Sequence, residues 1–425
     1  MRLSRWLASR LLRRIKVGSL LFVEGDRERR FGSGPPTATI NVRSPRTWPM
    51  LLHGSRGMAD AYAKGWWDSP DLVAVIRLGA RNVGGLDRLR ALIAPLRWPA
   101  LRIRALARPS TRRRRRRDIT APYKLGNDLF SQMLDPTMSY SCAVFEREGM
   151  TLEQASIAKL ERVCEKLELG PDDSVLEIGT GWGGFALYAA AAHGCHVTTT
   201  TISREQHEHA VEQVRRAGLE DRVTVLMEDY RDLQGSYDKL VSIEMIEAVG
   251  WQHIGTFFNK CSDLLTPHGV MLLQAITIDD RAYEVEKASR SFIKTHIFPG
   301  GALPSLGVIA RNVARRTDMQ MVHLEDLTPH YVETLKRWQQ NFTANVRSLA
   351  ELGYDEPFRR LWTLYLSYCE AGFAERRICD VQILFAKPRC PFATRTGMRS
   401  ASVAALGAAT GAALSAGPGA ALGDG

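Results

Sequence analysis

A chain of 425 residues is too long for one average domain, so two are expected, and its 45% hydrophobic content is ample for a buried core. Its net charge of +11 is concentrated: Arg112 to Arg117 alone supply six, and residues 1–16 and 101–117 carry basic side chains and no acidic ones. Seven scattered cysteines form no CxxC pair and no metal-ligand spacing, which argues against a disulfide-stapled or zinc-bound design and for reduced, cytosolic thiols.

In chain order, MRLSRWLASRLLRRIK (1–16) places Leu3, Leu7, Leu11 and Ile15 on one helical stripe with arginines filling the rest. Two readings stay open: a helix packed on its own domain, or an interfacial helix lying on anionic lipid. Charge interrupts its apolar residues too often for a secretory signal. SLLFVEG and ATINV read as strands, and helical periodicity returns over 57–95 around Tyr62, Trp66, Trp67 and Leu72. Together they predict a small α+β accessory domain over 1–100. The prolines and like charges of 101–118 read as a linker, since such blocks repel and stay solvated.

From 119 to 390 strand-like and helix-like segments alternate. VLEIG, HVTTTTI, VTVLM, KLVSIE and GVMLLQAITI are the strands, with helices such as 151–168 and 204–217 between them. The alternation predicts an α/β fold with a doubly wound, mostly parallel sheet. The Ala/Gly-rich stretch 391–425 reads as a disordered tail, because Gly417-Pro418-Gly419 and small side chains make a poor spanning segment.

The segment VLEIGTGWGGFALYAA (175–190) is a β-branched strand, a glycine-dense turn and the start of an apolar helix. Such a turn leaves free N–H groups at a helix N-terminus, which suits a nucleotide-type ligand. The spacing is E-x-G-x-G-x-G-G rather than G-x-G-x-x-G. The second strand runs into Thr201, Ile202 and Ser203 with no acidic residue for a dinucleotide ribose. Asp229, in MEDYRDL, closes the third strand where an adenine amino group could be read. These features resemble Rossmann-like, class I S-adenosylmethionine-dependent methyltransferases.

Further segments narrow the resemblance. APYKLGNDLFSQMLDPTMSYSCAVFE (121–146), TLEQASIAKL (151–160), TISREQ (201–206), SIEMIEAVG (242–250), FIKTHIFPGGALPS (292–305), HYVETLKRW (330–338) and YLSYCEAGF (365–373) are similar, in this order, to the cyclopropane-fatty-acyl-phospholipid synthase family. MADAYAKGWWDSPDL (58–72) resembles the accessory domain of its bacterial-type members.

That resemblance implies methyl transfer from S-adenosylmethionine to the cis double bond of a membrane phospholipid acyl chain. The resulting carbocation loses a proton to a bound bicarbonate and closes a cyclopropane ring. It implies contacts to cofactor and bicarbonate from Tyr140, Ser141 and Cys142, the last through its backbone. Glu177, Gly179 and Gly181 match methionine-side contacts, Thr201, Ile202 and Gln206 second-strand contacts, and Asp229 and Tyr230 the adenine side. Glu247 matches the carboxylate that holds bicarbonate, with Glu244 as the competing position, and Tyr331 matches a tyrosine that donates to it.

Three departures stand out. Gln274 occupies a place where some members carry histidine, and glutamine cannot titrate near neutrality. Thr180 replaces a cysteine of the turn, and Pro122-Tyr123-Lys124 replaces an HYD triplet. The family also implies a cytoplasmic protein docked on the inner leaflet, whose larger members are often homodimers. Three alternatives remain: a methylene-branched product from the same cation, an RNA methyltransferase that uses the arginine run as a phosphate clamp, and a catalytically inactive lipid-binding protein. No metal site and no nucleic-acid partner are expected on the first reading.

Overall fold

The computed structural model describes residues 2–82, 126–289 and 291–391. The expected linker with its Arg112–Arg117 run, the Pro122-Tyr123-Lys124 departure and the tail beyond 391 lie outside the described residues.

The N-terminal region is α+β. Its four-stranded sheet has the order β2-β1-β3-β4, from Gly18–Glu24 (β1), Arg27–Ser33 (β2), Thr37–Val42 (β3) and Trp67–Asp68 (β4). Leu20 and Phe22 of β1 point inward, and Phe22 stacks on Trp48 with centroids 5.2 Å apart. β2 escaped the sequence reading because RERRFGS buries only Phe31; pairing with β1, not burial, defines it. Helix α1 (Arg2–Leu12) buries Ala8 and packs against the short helix Thr47–Leu51, and Arg5 pairs with Glu24 and lies over the Trp48 ring. Its apolar stripe faces outward instead: Leu3 is 69%, Trp6 55% and Leu11 49% exposed. The segment packs on its own domain through Ala8, Leu12 and Ile15, while the exposed part of its stripe leaves the interfacial reading open as well.

Helix α2 (Gly54–Ala63) belongs to the same region. The larger sheet has the order β10-β11-β9-β8-β5-β6-β7. Its strands are Ser174–Ile178 (β5), His196–Thr200 (β6), Val223–Leu226 (β7), Tyr237–Ile243 (β8), Leu265–Ile278 (β9), Gln320–Asp326 (β10) and Ile378–Ala386 (β11). β5 to β9 run parallel, and β11 lies antiparallel between β9 and β10. Helices Leu152–Leu167 (α3), Gly184–His193 (α4), Arg204–Arg216 (α5), Thr328–Ala344 (α6) and Glu356–Ala374 (α7) pack around it. With apolar cover on both faces, β5 and β9 are buried along most of their length.

The chain leaves β5 for β6 on one side, while β8 flanks β5 on the other. That reversal opens a crevice at the strands' carboxyl ends, the usual ligand site of such sheets. The two regions share one apolar core running from Phe22 and Tyr62 to Trp338, Trp362 and Phe373. Arg360 of α7 lies 4.1 Å from the Tyr62 ring centroid and donates to the carbonyls of Tyr62 at 2.7 Å and Trp67 at 3.0 Å.

Candidate active site

The glycine turn is built by backbone conformation. Gly179 has φ +110°, and a Cβ there would meet the Met245 side chain at 3.1 Å; Gly181 has φ +53°. Both conformations favour glycine. Gly183 then caps α4 with φ +94°, so the helix N-terminus faces the crevice without a side chain in the way.

All ten residues expected at the cofactor line one cavity: Tyr140, Ser141, Glu177, Gly179, Gly181, Thr201, Ile202, Gln206, Asp229 and Tyr230. Several are fixed by local bonds. Thr199 Oγ1 donates to Glu177 at 2.6 Å, and burial pushes the Glu177 carboxyl up to about 8. Thr201 Oγ1 donates to Gln206 Oε1 at 2.9 Å. Asp229 accepts from the backbone N–H of Arg231 at 3.1 Å and from its Nε at 2.7 Å, so its carboxylate is held by its neighbour at the cavity wall. Tyr140 and Tyr365 share a hydroxyl hydrogen bond of 2.7 Å, and Tyr140 packs on Phe130 and Trp338.

The residues expected around bicarbonate converge differently. Glu244 immediately follows β8, with φ +48°, and also lines the cavity. Its Oε1 accepts from the Cys142 backbone N–H at 2.7 Å and from Gln274 Nε2 at 3.0 Å; its Oε2 accepts from the Tyr331 hydroxyl at 2.5 Å. The three donors that an exogenous anion would need from Cys142, Gln274 and Tyr331 thus end on a carboxylate of the chain itself. In this arrangement the residues do not fit a bound bicarbonate.

Glu247 is placed elsewhere. β8 pairs with β9 as far as Ile243 opposite Gln274, so the Ile276 N–H lies beyond the end of the ladder, and Glu247 Oε1 accepts it at 2.6 Å. Its Oε2 is enclosed and has no hydrogen-bond partner among the described residues. Glu247 as a residue is half-buried; burial and the nearby Glu244 push its carboxyl up to about 8. The Cys142 thiol is fully buried, and burial raises it well above its usual range, so it stays protonated and unreactive.

Gln274 is set by an amide relay across the sheet. It pairs in register with Gln382 of β11, which donates Nε2–H to Gln274 Oε1 at 3.0 Å. Gln382 Oε1 in turn accepts from Lys166 Nζ at 2.6 Å. An ammonium only donates, so the order is fixed, and the Gln274 amide nitrogen must face Glu244 and Asp380.

Three further residues belong to the site without having been singled out from sequence. Lys159 is 2% exposed, lines the cavity and donates to Ser141 Oγ at 3.1 Å. Burial lowers its pKa, and Glu244 opposes that shift. The signal was there: Lys159 falls on the otherwise apolar stripe Leu152, Ala155, Leu160, Val163 and Leu167 of α3. Asp380 is buried beside Glu244 and Glu247, and burial raises its carboxyl well above the usual range. Gln382 is the third.

The sequence pattern of the mycolic acid cyclopropane synthetase family matches residues 110–383. The chain belongs to this family. A tuberculostearic acid methyltransferase of Mycobacterium tuberculosis is 37% identical over 382 residues, spanning 86% of this chain and 88% of its own length. The cyclopropane-fatty-acyl-phospholipid synthase of Escherichia coli is 36% identical over 364 residues, spanning 84% and 89%. Among solved structures, a cyclopropane synthase from Mycobacterium tuberculosis superposes with a TM-score of 0.60 at 32% identity, covering 64% of this chain and 98% of its own. A mycolic acid cyclopropane synthase complexed with SAH and CTAB gives the same values. Family and fold stand as the motifs implied: the protein is an S-adenosylmethionine-dependent methyltransferase of the class I type.

Proposed function

We propose that the protein transfers the methyl group of S-adenosylmethionine to the cis double bond of an unsaturated phospholipid acyl chain, and that proton loss then closes a cyclopropane ring. The observation that carries this reading is a fixed carboxylate, Glu244, in the wall of the cavity that holds the cofactor-type residues. An alkene is a weak nucleophile, so the protein must align the methyl, exclude water and remove a proton. Tyr140, Trp182, Phe185, Met245 and Val249 give the cavity an apolar wall suited to a hydrocarbon chain and a cation. A bicarbonate base is not part of this proposal, because its donors are taken.

The substrate lies in a bilayer, and α1 supports docking there. Its outward Leu3, Trp6, Leu7 and Leu11 are exposed, and Arg13, Arg29 and Arg30 line one recess with Ser9 beside it. Apolar side chains that enter a leaflet, next to arginines that meet anionic headgroups, suit a peripheral protein on the cytoplasmic face. No helix among the described residues is long and apolar enough to cross a membrane.

A second reading keeps the same methyl transfer but ends in a methylene-branched chain. It is favoured by the 37% identity to a tuberculostearic acid methyltransferase along most of both chains. NMR of lipids from a host expressing the protein separates the two. Ring protons support the first reading, exocyclic methylene protons the second, and unchanged acyl chains contradict both.

A further inference from the structure

We propose that Glu244 is the catalytic base, a carboxylate supplied by the chain in the place where the family resemblance implies a bound anion. This rests on the acyl-chain reading above and adds to it the residue that receives the proton.

Three features of the site point to Glu244. The Cys142 N–H, the Gln274 amide and the Tyr331 hydroxyl, from three separate parts of the fold, all donate to its two oxygens. A carboxylate offers about four lone-pair sites; among the described residues Oε2 accepts only from Tyr331, which leaves one site for an incoming proton. The backbone is held at φ +48°, a region that a glutamate rarely adopts and that clusters at functional sites. Of the three neighbouring carboxyls, Glu244 lines the cavity, whereas Glu247 Oε2 and Asp380 Oδ1 are enclosed without partners among the described residues.

The step balances without a further reactant. The alkene π pair forms a C–C bond to the donor methyl, and the C–S bond breaks with its electrons staying on sulfur. The neighbouring chain carbon becomes cationic. Glu244 Oε2 takes a proton from the transferred methyl, and the released C–H pair closes the third ring bond onto the cationic carbon. For the methylene product, a hydride first moves from the methylated carbon to the cationic one, and the same pair becomes the exocyclic double bond. Glu244 then returns its proton to water, giving one proton and one S-adenosylhomocysteine per methyl. Tyr331 and Gln274 hold the carboxylate in place, and Lys159 supplies a nearby positive charge.

The test compares the full-length wild type with Glu244→Gly and Glu244→Gln. Calorimetry with S-adenosylhomocysteine reports whether each variant keeps its fold; if the glycine variant does not, the isosteric glutamine variant carries the activity comparison. Sodium bicarbonate labelled with carbon-13 is then titrated against each protein and followed by NMR. Wild type should not bind it, whereas Glu244→Gly, with the three donors released, should. In carbon-dioxide-free buffer, wild-type methyl transfer to dioleoyl-phosphatidylglycerol vesicles should be undiminished, and both variants should fall by about 10²–10⁴-fold. Added bicarbonate should restore part of the Glu244→Gly activity. Bicarbonate binding to wild type, wild-type turnover that requires bicarbonate, or a fully active Glu244→Gln would each overturn the proposal. If wild type methylates no acyl chain, the substrate reading fails, while the bicarbonate titration still decides who owns the donors.

Discussion

Gln382 donates its side-chain amide to Gln274 Oε1 at 3.0 Å, and this bond decides which end of Gln274 faces Glu244. Lys166 anchors the far end of the relay by donating to Gln382 Oε1. Replacing Gln382 with leucine frees Gln274 to rotate and to present an oxygen to a carboxylate. The expected outcome is a fall in kcat of about 10–100-fold from misplacement of Glu244, with the KM for S-adenosylmethionine unchanged. Steady-state kinetics checks this; an unchanged kcat, or a loss confined to KM, would show that the relay is only structural.

Cys142 contributes its backbone N–H, and its thiol is buried and held protonated. Cys142→Ala should therefore keep kcat within about threefold of wild type, far less than the loss of a nucleophile. The native protein should also resist iodoacetamide at this residue, as read by peptide mass spectrometry. An inactive but folded Cys142→Ala would restore a chemical role to the sulfur.

Glu247 carries a pH signature. Its carboxyl is raised from 4.5 to about 8 in the folded chain. Between those values the native state holds a proton that the unfolded state has lost, so this group's contribution is full below about 4.5 and is lost as pH rises through about 8. Glu247→Gln removes that dependence while leaving an oxygen for the Ile276 N–H. Thermal unfolding should show the variant gaining on wild type between about pH 5 and about pH 8. A constant difference across that range would mean that Glu247 is ionised in the folded protein.

The exposed stripe of α1 predicts salt-sensitive vesicle binding. Replacing Leu3, Trp6, Leu7 and Leu11 with serine should abolish binding to anionic vesicles while leaving affinity for S-adenosylhomocysteine intact. Raising ionic strength should weaken wild-type binding, since the arginines act through screened charge. Replacing Arg112–Arg117 with Gly/Ser tests the rival reading: tight RNA binding lost with that run would favour a nucleic-acid role.

The parallel strands and the donor cavity were legible because both depend on local pattern. VLEIG followed by three more glycines within five residues can hardly fold otherwise, and the apolar runs of β5, β8 and β9 need cover on both faces. β10 was hidden because QMVHLED is an exposed edge, and β11 because Asp380 and Gln382 break its apolar run. The same two polar residues build the base site, so the features that disguised the strand are part of its chemistry. From sequence the resemblance pointed to Glu247, with Glu244 as the competing position, and local pattern alone does not separate the two. Both lie in SIEMIEAVG, and only the end of β8 pairing turns one toward the cavity and the other toward the Ile276 N–H.

The most direct measurement uses S-adenosylmethionine with a trideuterated methyl group and dioleoyl-phosphatidylglycerol vesicles, with lipid mass spectrometry and S-adenosylhomocysteine measured together. The predicted product is an acyl chain that has gained one carbon bearing two of the three deuteriums, formed in equal amount with S-adenosylhomocysteine. Acyl chains that keep all three deuteriums would mean that the proton leaves from elsewhere. S-adenosylhomocysteine released with no deuterium in the acyl chains would contradict a lipid acceptor altogether.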